Sequence, residues 1–88
     1  LFGVTSQLKR AASSITANIA EGFSRYHYND KVRFYINARG SISEIQSFLF
    51  LSKDLSFFGE KTFKTLFDLS EEVGKLINGL IRSIQKQK

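Results

Sequence analysis

The sequence predicts an all-α fold of antiparallel up-and-down helices, three of them visible, and three observations support this. Three long segments carry apolar residues at helical spacing, no run alternates in the manner of a strand, and only a few residues separate the segments. Connections that short make neighbouring helices antiparallel. Eighty-eight residues allow one domain, 1–88, near the small end of what holds a core without covalent or metal staples. There is no cysteine, so disulfides and thiolate metal sites are excluded. Nine Phe and three Tyr are the expected substitutes, since each buried ring removes roughly 150–250 Å² from water.

The first helix is expected over residues 6–22, with Thr5 as N-cap and Gly22 as a left-handed stop. Leu8, Ala12, Ile15 and Ile19 share one stripe, while Ala11, Ser13, Ser14, Ala17 and Ala20 are small enough to let a second helix axis come close. Residues 23–29 form a linker, and Asn29 or Asp30 is the expected cap of a second helix over 30–58 that Gly59 ends. That helix carries a main stripe of Phe34, Ala38, Ile42, Ile45, Leu49 and Ser52 and a second one of Val32, Ile36, Phe50 and Phe57. A surface helix in a monomer needs one apolar face, so the second stripe points to cover from another direction. The third helix, 60–86, repeats Phe63, Leu66, Ser70, Val73, Ile77, Leu80 and Ile84 at alternating steps of three and four, the spacing of a bundle seam. Its polar tail, residues 85–88, is expected to fray.

The net charge of +5 is placed unevenly. Residues 1–43 hold six Lys/Arg against two acids, whereas residues 44–88 hold seven against six. In the second half, Glu60 with Lys64 and Glu71 with Lys75 stand at the favourable i,i+4 order. Free positive charge is therefore expected at Lys9, Arg10, Arg25, Lys31, Arg33 and Arg39. No apolar run reaches the length of a membrane span and no leader pattern precedes the first helix, so a soluble, cytoplasmic protein is expected. A chain opening on Leu1 rather than Met is expected to be processed or truncated.

Two stretches carry a family likeness. Residues 6–25, SQLKRAASSITANIAEGFSR, and residues 33–55, RFYINARGSISEIQSFLFLSKDL, resemble the four-helix-bundle proteins of the 23S ribosomal RNA intervening-sequence family, and the resemblance continues to residues 71–84. The resemblance implies a further helix ahead of the position matching Leu1, which would pack on the open side of the three visible ones. It also sets Thr16 where relatives often carry proline, and Thr16 keeps the backbone donor that proline lacks. Members of the family resemble ring-forming oligomers, typically pentamers, and are similar to the accessory protein of diversity-generating retroelements, a basic barrel associated with nucleic acid.

The polar residues near the end of the first helix suit a structural role. Arg10, Ser14 and Glu21, with Asn18 at the boundary, make a polar face next to Gly22 that is either solvated or paired with a strip of the second helix formed by Arg33, Asn37, Gly40, Ser41 and Glu44. In the paired reading Asn18 and Glu21 bond to an arginine or to helix-end amides. Gly40 costs a helix interior about 1 kcal/mol relative to Ala, which points to something lying against the backbone there. The linker places Arg25, Tyr26, His27 and Tyr28 beside Lys31 and Arg33, a pattern suited to phosphate contact and base stacking. Sealing the end of the core is the competing role for Phe23 and one of the tyrosines.

His27 is the only histidine and no second ligand accompanies it, so no metal site is expected. Ser13 and Ser14 lack a His–Asp arrangement, and the six glycines form no phosphate loop. The expectation is a non-enzymatic homo-oligomer, pentamer favoured, that binds structured RNA or other nucleic acid and needs no cofactor, small-molecule substrate or membrane. The alternative is a protein-interaction module that docks a different protein on Val32, Ile36, Phe50 and Phe57.

Overall fold

Three helices follow one another in the computed structural model, which describes residues 2–87: α1 (Phe2–Ser24), α2 (Tyr28–Asp54) and α3 (Glu60–Gln87). No strand occurs among the described residues. Leu1 and Lys88, and with them the expectation about the opening residue and the last residue of the tail, lie outside the described residues. No helix of the described residues is long and apolar enough to cross a membrane.

The central helix organises the rest. Both α1 and α3 pack along α2, and they do not pack on one another. The Cα envelope is 46 Å long, 21 Å wide and 13 Å deep, so the helices form a shallow trough and not a closed three-helix bundle. Val32, Tyr35, Ala38 and Ile42 of α2 join Ile77 and Ile81 of α3 in the buried core, with Ile15 and Ile19 of α1 half-buried against it. Ala11 is fully buried as well, and with the half-buried Ser14 it is a small residue of α1 that lets the helices approach. Ser13, Ala17 and Ala20 face solvent.

Helix ends depart from the sequence expectations in four places, each for a local reason. α1 begins at Phe2, so Thr5 lies inside it and not at its cap; Val4, four residues before Leu8, carries the apolar period further upstream. α1 also continues through Gly22 to Ser24, and Gly22 does not have a positive φ. A methyl group at that position would stand 2.4 Å from Cε1 of Tyr35, so glycine serves close packing here and not helix termination. α2 starts at Tyr28 with His27 as an extended N-cap, one to two residues ahead of Asn29 and Asp30, because the Lys31 amide already bonds to the His27 carbonyl at 3.1 Å. Asp30 falls in the first turn, where a negative charge suits the helix dipole.

The fourth departure is the end of α2, which stops at Asp54 and not Phe58. Ser56, not Gly59, takes the left-handed conformation, with φ 60°. The Phe57 amide returns to the Ser52 carbonyl and the Ser56 amide to the Lys53 carbonyl, both at 2.9 Å. These paired bonds make a Schellman motif, which satisfies carbonyls that the helix end would leave open.

Polar bonds fix the lateral register. Gln46 donates through Nε2 to the Ser70 hydroxyl at 3.0 Å, which in turn donates to the Phe67 carbonyl. Arg39 donates to Asn78 Oδ1 at 3.1 Å. At the α2–α3 end the rings of Phe50, Phe63 and Phe67 cluster with centroids 5.1–5.5 Å apart, and the Lys53 ammonium stands 4.4 Å over Phe63. Lys53 also pairs with Glu60 across the turn, and Lys64 reaches Asp68, so the expected Glu60–Lys64 pair does not form.

Candidate functional site

The α1–α2 end collects the residues with most chemical character. A turn of three residues, Arg25–His27, reverses the chain. Tyr35, the largest fully buried side chain, wedges against Gly22, and Phe23 meets its ring edge-on at 6.0 Å. Burial raises the Tyr35 hydroxyl above its ordinary pKa of 10.0. Lys31 reaches back from α2 and donates to the carbonyls of Gly22 and Phe23 at 3.1 and 3.0 Å. A cation at a helix C-terminus suits both the open carbonyls and the dipole, so Lys31 is tied to the fold of this end.

Two guanidiniums flank that lysine. Arg25 and Arg33 stand 4.7 and 4.6 Å from the Phe34 ring centroid. Arg25 also pairs with Glu21 at 3.1 Å, and Arg33 lies 3.9 Å from Asp30. These are solvent-exposed pairs of residues close in sequence, each worth well under about 1 kcal/mol, so they place the cations without locking them. Tyr26 projects from the turn 89% exposed, edge-on to His27 at 5.3 Å, and Phe23 and Tyr28 are exposed beside it.

The remaining basic candidates lie apart from this end. Arg10 sits 12 residues before Gly22 on α1, where it donates to Gln7 and pairs with Glu44 of α2 at 2.8 Å. Arg39 bridges to α3, and Lys9 is exposed on α1. The six cations thus do not form a single patch; only Arg25, Lys31 and Arg33 come together.

The polar motif is drawn together in part. Asn18 donates to the Ser14 carbonyl at 2.8 Å and to its hydroxyl at 3.2 Å, and the Ser41 hydroxyl stands 3.0 Å from that of Ser14. With Arg10–Glu44 this makes a polar seam between α1 and α2. Glu21 belongs to the turn through Arg25, and Gly22 to Tyr35. Gly40 differs from expectation: nothing in the chain lies within 4 Å of a methyl group placed there.

Two apolar surfaces remain. The four residues expected to form a second face of α2 do so only in part: Val32 is buried in the core, whereas Phe50, beside the rings of Phe63 and Phe67, remains 46% exposed. Ile36 is 43% exposed and Phe57 stands in the turn after α2. The larger apolar surface is the trough itself, about 500 Å³, lined by Leu8, Ala12 and Ile15 of α1, Ile45 and Leu49 of α2, and Leu66, Leu69 and Val73 of α3. Leu8, Ala12 and Ile15 of the α1 stripe therefore turn toward the trough, while Ile19 packs on the core. Leu69 of the trough lining is 52% exposed, and Leu76, two turns further along α3, is 68% exposed.

The family model described as 23S rRNA-intervening sequence protein matches residues 1–79. The chain belongs to that family. No curated protein and no solved structure matches it significantly. The match includes all of α1 and α2 and most of α3, so the turn, the polar seam and the trough all lie within the part that defines this intervening-sequence protein. Among the described residues no group of three or more His, Cys, Asp or Glu is placed to hold a metal ion.

Proposed function

We propose that this intervening-sequence protein is a non-enzymatic homo-oligomer that binds nucleic acid through the α1–α2 end of each subunit. The observation that carries the reading is that Arg25 and Arg33 on the half-buried Phe34 ring, and Lys31 on the end of α1, share one end of a chain of net charge +5 with the exposed Tyr26 and Tyr28. Cations of that kind neutralise phosphates and release counterions, and aromatic faces accept bases. Oligomerisation is supported by the open trough and the exposed Leu69 and Leu76, which a further helix or a second copy would cover. A fourth helix seated in the trough completes the bundle that the family resemblance implies, and a closed ring, a pentamer by the same resemblance, repeats the basic end around its circumference. Repetition multiplies weak contacts when one polyanion spans several of them.

Filter binding of labelled RNA and DNA against increasing salt tests this. Retention is expected to fall with salt, with a logarithmic slope of about −2 for the roughly three cations of one subunit. Replacing Arg25 and Arg33 together by Ala is expected to weaken retention for every sequence. An absence of salt-sensitive retention of either nucleic acid overturns the reading.

The trough also favours a second reading, a module that docks a different protein. The two readings part on mass: a homo-oligomer persists at micromolar concentration in light scattering, whereas the docking module is a monomer until its partner arrives.

A further inference from the structure

We infer that the α1–α2 turn takes a single-stranded polynucleotide, with an unstacked base on the Tyr26 ring, and not a duplex held by its phosphates. The inference rests on the nucleic-acid reading above and specifies its form.

The first argument is electrostatic. Each cation at this end already has a partner inside the chain: Arg25 has Glu21, Arg33 has Asp30, and Lys31 has two carbonyls. Counting Glu21 and Asp30 against the three cations leaves this end one positive charge. Duplex clamps rely on phosphate neutralisation over many contacts, and this end does not offer the uncompensated charge for that.

The second argument is what the same end leaves uncommitted. Tyr26 is 89% exposed in a three-residue turn, its ring perpendicular to that of His27 at 5.3 Å, so most of the tyrosine surface is open to solvent. Tyr26, His27 and Tyr28 line a depression of about 370 Å³. An aromatic face takes a base only when the base is out of its helix, and it takes any base, since all have a π-face. Arg25 adjoins Tyr26 in the chain and is held on the Phe34 ring with Arg33, so two solvent-accessible guanidiniums stand at the same turn to meet phosphates of a strand stacked on Tyr26. A strand with free bases uses both features at once; a duplex uses only the weaker one. RNA and DNA single strands share this chemistry.

The test is fluorescence anisotropy on the full chain at low salt, with labelled 12-nucleotide oligo(U), oligo(dT) and a mixed-sequence duplex of equal length. Both single strands are expected to bind at least about tenfold tighter than the duplex, and a difference between them assigns the natural strand as RNA or DNA. Tyr26→Ala is expected to weaken single-strand binding about tenfold, within the usual effect of losing one base–aromatic stack, and Tyr26→Phe to restore it. Thermal melting by circular dichroism is expected to be unchanged in both variants, because Tyr26 supports no buried contact. Equal affinity for duplex and single strand, with Tyr26→Ala binding like the parent, overturns the inference and leaves the proposed function standing. No binding of any oligonucleotide by the parent overturns both.

Discussion

The contact between Gly22 and Tyr35 sets how closely α1 and α2 approach at the turn. A methyl group on residue 22 would meet the Tyr35 ring at 2.4 Å, and a fully buried ring has no free direction in which to retreat. Gly22→Ala is therefore expected to destabilise the chain by about 1–3 kcal/mol in urea denaturation, and by much less in a Tyr35→Leu background. Additive losses in the double variant would sink this account. The sequence singled out Gly22 correctly but assigned it the wrong task, because a helix stop and a close approach both require glycine and look alike in one chain. Tyr35 belonged to neither apolar stripe of α2. The position of Gly22 opposite is what admits its ring to the core.

Among the elements, α2 shows where periodicity suffices and where it fails. The main stripe was legible: Ala38, Ile42, Leu49 and Ser52 are buried, since one helical face must meet α1 and α3 along its length. The second stripe was legible only in part, because 100° per residue gives a direction but not what stands there. Val32 found the core, whereas Ile36 and Phe50 stay 43% and 46% exposed, Phe50 beside two rings of α3. The end of α2 was hidden for a different reason, since a serine in the left-handed region leaves no mark in the sequence. Ser56→Gly removes that strain at a position whose backbone is already fixed by two 2.9 Å bonds. It is expected to stabilise the chain by about 0.5–1 kcal/mol, read as a rise of a few degrees in the melting temperature. A lower melting temperature would show that the serine makes a contribution its backbone does not reveal.

For the whole molecule, the trough is the feature that one subunit leaves open. Leucines exposed on its rim are few enough to tolerate charge in a monomer yet central to any assembly that covers them. Leu69→Glu with Leu76→Glu is expected to convert the assembly to monomers in light scattering while helical content is retained. Retention of the parent mass would place the assembly contact elsewhere on the chain. The all-α class and the three helices of the described residues were readable from spacing, but the gap between α1 and α3 was not, because spacing says which faces are apolar and not how far two helices splay. That splay also bears on how the chain folds. Every tertiary contact between helices joins neighbours in sequence, so contact order is low and loop closure costs little. The two helical hairpins share only α2 and can open independently: amides of α1 and of α3 exchange through separate partial unfoldings, while those at the centre of α2 wait for the whole chain to open.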